Sequence, residues 1–349
     1  MIYIDGSAKS GSGTIVRYAV AMASLLGEEL HINNIRAKRD KPGLRPQHLA
    51  SVTACAQMCG AQVEGAVVNS KEIVYRPGGR IKGGHYQWEI GTAGSTTLLI
   101  MTLLPLALFA DEETILRISG GLFQDFAPSA HHMQYVLFPT LEKMGIKAEL
   151  EMIRPGYVPR GGGIIQVRVK PVGSGIKPLK LLKQGEVKEV AGLALSSHLR
   201  EQRVSARMAE ECQKLLTGKG YHARIKTLWD ETALQAGASL ALWAETDSGC
   251  LLGSDQAGKK GRSSESIGRY VARNLLEDLE TGATVDRYLA DQLIIYAALA
   301  VGATEYIIPR STEHVDANLW LVEKLGARAH LEGNNLRIEG IGYTGQPTA

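Results

Sequence analysis

Residues Gly91 to Ser119 read GTAGSTTLLIMTLLPLALFADEETILRIS. A turn of small residues opens the stretch, an apolar segment follows, then a short acidic break and a β-branched run. The segment Thr96 to Ala110 is the most apolar of the chain. It is shorter than the roughly 18 residues of a membrane span and carries Pro105, so it predicts a buried helix. Because it is apolar nearly all round, it should lie under a sheet and against other helices at once. The same order recurs in GSGTIVRYAVAMASLLGEELHINNI from Gly11 and in YLADQLIIYAALAVGATEYIIP from Tyr288. The runs LHINNI, TILRIS and EYIIP have strand composition. The pattern predicts an α/β fold of repeated small units, with helices packed on one face of small sheets.

Residues 184–277 break this pattern. A polar helix is expected over SSHLREQRVSARMAEECQKLL, then strands HARIKTLW and SLALWAET, a Gly/Lys/Ser loop and a helix at SESIGRYVARNLLEDLE. The third copy of the repeat resumes after it. The expected organisation is a large domain of 1–183 and 278–349, with a smaller α/β domain of 184–277 inserted.

The 349 residues are 44% hydrophobic and 21% charged, which excludes a disordered chain. Net charge is only +3, so any site for a polyanion must be local. Cys55 and Cys59 stand four apart in an apolar helical stretch and read as core thiols, with no zinc-like partner pair elsewhere. No disulfide framework is visible, and the first ten residues lack a signal-peptide pattern. A cytoplasmic protein with no membrane partner is expected.

Five stretches could carry chemistry. In DGSAKSGSGT, Asp5 to Thr14, a Gly/Ser turn between strand and helix could present amides to an anion or be a structural turn. It is no Walker A loop, since Ser12 stands where the lysine is required. RAKRDKPGLRPQH, Arg36 to His48, sets five Lys and Arg residues against Asp40 on a loop stiffened by Pro42 and Pro46. It reads as a phosphate clamp or as a solvated basic loop. GTAGSTT, Gly91 to Thr97, could offer free amides at a helix start or serve close packing. In PGYVPRGGG, Pro155 to Gly163, successive glycines suggest backbone pressed against a ligand or another segment, or a bulged hairpin. Finally, in PRSTEHVDANLW, His314 stands at the start of the last helix. The positive helix end there favours a neutral, nucleophilic imidazole, although a capping or core role would place a histidine equally well.

These pieces, in this order, resemble the RNA 3′-terminal phosphate cyclase family over nearly the whole chain. The resemblance rests on IRAKRDKPGLRPQHL, the Ser119–Gly121 SGG, YVPRGGG, GSDQAGKKGRSSESIGR, YLADQL and the His-x-x-x-Asn of His314 and Asn318. It implies joined α/β units with one smaller inserted domain. It also implies an ATP-dependent ligase-type reaction: a histidine takes AMP from ATP, passes it to an RNA 3′-phosphate, and the neighbouring 2′-OH displaces AMP to close a 2′,3′-cyclic phosphate. Carried over by position, His314 is the adenylylated histidine. Arg17, Arg36, Arg39 and Gln47 surround the phosphates of RNA and ATP. Tyr288, Leu289, Ala290, Asp291 and Gln292 form the ATP-contacting segment, with Tyr288 stacked on adenine and Pro128 on the base's other face.

Three departures are visible. The family's Gly-Glu-Gly-Gly-Gly-Gln is Lys9 to Thr14 here, and Ser10 replaces the carboxylate that would help hold a divalent metal. A helical glutamine is Met101. The loop GGLFQDFAPSAHHM carries His131 and His132 where an acid is expected. The expected cofactors are therefore ATP and a divalent ion (Mg or Mn) that arrives with it, with no metal ligand assigned in the protein. The substrate implied is RNA with a 3′-phosphate end. The alternative class is a non-catalytic relative that binds RNA or a ribosome-assembly complex. It fits the lost Glu but leaves His314 and YLADQ without a purpose. A metabolite enzyme of the enolpyruvyl-transferase type would lack the histidine and the inserted domain.

Overall fold

The computed structural model describes residues 1–345. The first unit is β1 (Ile2–Asp5), α1 (Gly13–Leu26), β2 (Leu30–Asn33), α2 (Pro46–Cys59), β3 (Gln62–Glu64) and β4 (Ile73–Arg76). Its sheet order is β1-β2-β4-β3, with β1 and β2 parallel and the other pairs antiparallel. The second unit is β5 (Gly84–Glu89), α3 (Thr96–Leu108), β6 (Thr114–Gly120), a helical run, β7 (Lys147–Arg154) and β8 (Gly163–Lys170). The run joins α4 (Ala130–His132) to α5 (Phe138–Glu142) through a π-helical turn, Met133–Leu137. Its sheet order, β5-β6-β8-β7, repeats the first with the same parallel and antiparallel pairs.

Next come the two-residue β9 (Lys180–Leu181), then β10 (Val187–Ser197), α6 (Val204–Thr217), β11 (Ala223–Asp230), β12 (Gly237–Thr246), β13 (Leu251–Ala257) and α7 (Ser264–Glu280). The chain continues through α8 (Leu289–Gln292), α9 (Ile294–Leu299), β14 (Ala303–Ile307), α10 (Glu313–Lys324), β15 (Arg328–Glu332) and β16 (Asn335–Glu339). β9 pairs in parallel with β14 across this span, Leu181 opposite Tyr306, and the order β9-β14-β16-β15 is the repeat a third time. The sheet of β10 to β13 differs, with order β11-β10-β12-β13, and lies in the chain between β9 and β14.

The α/β repeat expected from sequence is present, and α1 shows why it coheres. Every residue from Thr14 to Leu25 is buried. The helix packs on α2, α3 and α10, so it needs apolar residues on all sides. Each fully buried Ile, Val or Leu there contributes about 1.5–3 kcal/mol. Gly27 ends the helix at φ 68°, with its amide donating to the Ala23 carbonyl. α3, including Pro105, is likewise buried, and all four cysteines are buried and free. Among the described residues, no helix is long and apolar enough to cross a membrane.

Two expected helices change. The polar helix starts at Val204, because Ser196 and Ser197 complete β10 between β11 and β12 and Arg203 takes a left-handed conformation (φ 53°). The helix after Tyr288 is two short ones, α8 and α9, separated by a turn at Leu293.

Candidate active site

The helix starts of α1 and α10 converge with α8, the body of α3, the loop 124–128 and the end of β13. Between them is a cavity of about 500 Å³. Its lining includes His314, Arg17, Tyr288, Asp291, Gln292 and Pro128. These come from four separate stretches of chain, and the fold brings them to one place. Arg36, Arg39 and Gln47 lie outside that lining. Leu289 and Ala290 are fully buried and support α8, with the Tyr306 hydroxyl donating to the Ala290 carbonyl.

His314 is the second residue of α10. Thr312 caps the helix by accepting from the Val315 amide (3.2 Å). The imidazole is open to the cavity, yet surrounding atoms desolvate it, and the Arg17 and Arg39 cations add to this. Together they hold its pKa below the usual histidine value, so a neutral ring persists. Desolvation and the arginines, not the helix end, are the causes here.

Arg17 is 7% exposed on α1. Its side chain's one hydrogen bond among the described residues runs to Thr14 Oγ1 (3.0 Å), and no carboxylate pairs with it there. Desolvation lowers its pKa to about 10, so it stays charged. A buried guanidinium with most donors unused is a ready anion site. Asp291 faces the same space. Burial pushes its carboxyl up to about 7, with Asp286 adding to the rise. Asn318 Nδ2 donates to the Asp291 carbonyl (3.1 Å), tying α10 to α8. The side-chain oxygen of Gln292 has no partner among the described residues.

The turn before α1 is lined by polar groups without partners. Ser10 and Ser12 hydroxyls are buried and make no hydrogen bond among the described residues, and Ser12 is the N-cap residue. An added Cβ on Gly13 would collide with His48 Nε2 and meet Arg17 Nη1 at 3.1 Å. His48 Nδ1 accepts from the Arg45 amide (3.1 Å), which puts the ring's proton on Nε2. Desolvation and the nearby Arg17, Arg36 and Arg45 hold its pKa at about 2, so this ring is a neutral donor among cations. Arg36 itself turns back on its loop, where Nη1 donates to the Lys41 and Gly43 carbonyls (2.6 and 2.9 Å). It therefore stiffens the basic loop.

Three amides of the turn before α3 are already taken by protein oxygens. Thr96 N donates to the Gly121 carbonyl (2.9 Å), Leu98 N to Ser95 Oγ (3.1 Å) and Ser95 N to Gln47 Oε1 (3.4 Å). Of the two readings of GTAGSTT, close packing is the one seen. In PGYVPRGGG, the glycines press on other segments: Gly161 on Thr92 and Ala93, Gly162 on Leu234, Gly156 on Gly163.

Several groups in the lining (Asp125, Asp255) or behind it (Asp286 and its partner His132) were not assigned a role from sequence. Asp286 anchors α8: Oδ1 accepts from the Tyr288 and Leu289 amides (2.8 and 2.9 Å). Its Oδ2 accepts from the Gly253 amide (2.8 Å) and pairs with His132 Nε2 (3.1 Å). Burial is the largest single influence on each group and opposes both charges, but the pairing, joined by Asp255 and Asp291 around His132 and by the Leu289 and Gly253 amides on Asp286, prevails, so His132 titrates above and Asp286 below the ordinary value. The His132 ring meets Tyr288 edge-on at 6.1 Å. Asp255 accepts from the Ser129 amide (2.7 Å), and burial raises its pKa. Asp125 is held by both Arg262 nitrogens (2.8 and 3.0 Å) and by Lys259 (3.2 Å).

Fold and site define an α/β-repeat protein with a histidine-bearing cavity flanked by arginines and an aromatic–proline pair. Its sequence matches the family model for RNA 3′-terminal phosphate cyclase over residues 8–330. It is 39% identical over 340 residues to a protein of Caldivirga maquilingensis named RNA 3′-terminal phosphate cyclase, covering 96% of this chain and 95% of that one. Similar proteins of the same name occur in Methanopyrus kandleri and Pyrococcus furiosus, each 38% identical and each covering 93% of both chains. The chain belongs to the RNA 3′-terminal phosphate cyclase family, a family of enzymes.

Proposed function

We propose that this protein uses ATP to convert an RNA 3′-phosphate into a 2′,3′-cyclic phosphate through a covalent His314–AMP intermediate. The observation that carries this reading is the meeting of a neutral His314 with the buried, underused guanidinium of Arg17 in one cavity. A ring nitrogen of His314 attacks the α-phosphorus, the bond to the bridging oxygen breaks, and pyrophosphate leaves with the electron pair. An oxygen of the RNA 3′-phosphate then takes the adenylyl group and frees the histidine. The 2′-oxygen attacks the 3′-phosphorus, its proton goes to solvent, and AMP departs. Each step moves negative charge near Arg17, which stabilises it where water is scarce.

In this reading Tyr288 and Pro128 hold the adenine between them, while Asp291 and Gln292 supply acceptors for the ribose. Arg39 would serve the phosphates from the adjoining loop, which Arg36 stiffens while keeping its other nitrogens for an anion, and Gln47 would serve them from the first turn of α2. A divalent cation brought by ATP would offset the charge on the departing pyrophosphate. The unpartnered hydroxyls of Ser10 and Ser12 are the oxygens this turn offers it, and no carboxylate stands among Lys9 to Thr14. The inserted domain, 184–277, carries Asp255, Arg262 and Tyr270 and closes the cavity on one side. Its separate sheet order and its position between β9 and β14 support the division. The protein would act in the cytoplasm.

The test is incubation with α-labelled ATP and metal, then denaturing electrophoresis. An acid-labile, alkali-stable label on the protein is expected. A folded protein that never takes label, yet binds RNA, would establish the non-catalytic alternative.

A further inference from the structure

Phe126 is fully exposed, and its backbone is left-handed (φ 67°), a conformation that favours glycine and disfavours a bulky side chain. An apolar ring held in water on a disfavoured backbone calls for a reason beyond stability. Its neighbours are fixed. Asp125 is clamped by Arg262 and Lys259, and the Pro128 carbonyl accepts from Thr97 Oγ1 (2.7 Å). The ring has no aromatic contact among the described residues, although it lines the same cavity as His314. Lys259 and the exposed Lys260 stand on the loop that clamps Asp125. A rigidly mounted bare ring beside cations, at the rim of a phosphate-handling cavity, is the arrangement that single-stranded nucleic acid uses: a base stacks on the ring and its phosphate meets the lysines.

We infer that Phe126 is a stacking platform for a nucleobase at the 3′ end of the single-stranded RNA substrate, with Asp125 as the residue that positions it. The inference rests on the function proposed above and adds a substrate-binding residue to it. The ring would hold the strand in register while its terminal phosphate reaches the adenylyl group.

The experiment measures binding of a 3′-phosphorylated single-stranded oligoribonucleotide to the wild-type protein and to Phe126→Ala, in parallel with labelling by ATP. Because the side chain is exposed, Phe126→Ala will fold. Stacking on one ring predicts about tenfold weaker RNA binding, with Phe126→Trp restoring it. The loss should vanish on an oligonucleotide whose terminal and penultimate nucleotides are abasic. Protein labelling should keep its dependence on ATP concentration. Equal RNA binding by the wild-type and Phe126→Ala proteins overturns the inference. So does a raised ATP requirement with unchanged RNA affinity, which would assign the ring to the nucleotide. The RNA measurement stands whether or not the protein takes label, so failure of the proposed reaction and failure of the platform are told apart.

Discussion

Two turns of small residues open two long buried helices, and their amides and hydroxyls meet different ends. Before α3, Ser95 caps the helix and the amides of Ser95, Thr96 and Leu98 are all satisfied by protein oxygens. Before α1, the N-cap residue Ser12 makes no capping bond, its hydroxyl and that of Ser10 have no partner among the described residues, and the adjoining Gly13 abuts His48 and Arg17. The sequences GTAGSTT and SGSGT look alike because both jobs require small residues. The first uses them to bring strand and helix together. The second leaves a polar recess at a helix start, flanked by cations. A third helix start, that of α10, completes the contrast by placing His314 in the same cavity.

The largest effect expected from this contrast is at α10. His314→Ala should abolish covalent labelling by ATP while circular dichroism and thermal unfolding stay near wild type. Undiminished labelling in the folded variant would remove the nucleophile from the proposal. Next is Gly13→Ala. A methyl group there must displace His48 and the Arg17 guanidinium, so cyclisation of a 3′-phosphorylated oligonucleotide should slow at least tenfold, about 1.4 kcal/mol of barrier. A normal rate would mean that the recess before α1 is only a turn.

Ser95→Ala should do the reverse. Losing the cap bond to Leu98 N removes about 1 kcal/mol of stability, read by denaturant unfolding. Labelling per folded molecule should be unchanged, and a selective loss of labelling would break the distinction between the two turns. Ser10→Glu is a gentler probe. A carboxylate in the recess would supply a charged ligand, so the metal concentration for half-maximal labelling should fall on the order of threefold. An unchanged or higher requirement would show that the turn is rebuilt around another ligand.

The repeat was legible because its evidence is local: apolar runs of helix length alternate with β-branched runs, and the structure places α1, α3, β2, β6 and β14 accordingly. What lay outside local pattern was missed. β9 has two residues and becomes a strand only by pairing with β14, more than a hundred residues on. Ser196 and Ser197 resemble a helix start but are drawn into β10 by partners on both sides. In the site, His314 was visible from its place after a strand, whereas the His132–Asp286 pair spans 154 positions and neither residue signals the other. Phe126 gave no sign at all, since an exposed phenylalanine reads from sequence as one more core residue.

The subtlest test concerns why His314 stays neutral. Desolvation is the first cause of its lowered pKa, and the Arg17 and Arg39 cations push the same way, while Glu313 beside it pushes back. In the proposed reaction a neutral imidazole is the nucleophile, so labelling should be constant above the ring's pKa and decline below it, with the acid limb lying beneath the ordinary value near 6.5. The two exposed neighbours can be changed without touching the cavity wall. Arg39→Gln removes a cation, makes protonation easier and should move the acid limb to higher pH. Glu313→Gln removes an anion, makes protonation harder and should move it lower. Arg39→Gln will also slow the reaction at every pH if the side chain grips phosphate, but that loss changes the height of the profile and leaves the direction of its inflection readable. Opposite displacements by the two variants would show that the charges around the start of α10 tune the histidine. If both variants share the wild-type inflection, burial alone sets it, and the arginines of the basic loop act on the substrate's phosphates and not on the nucleophile.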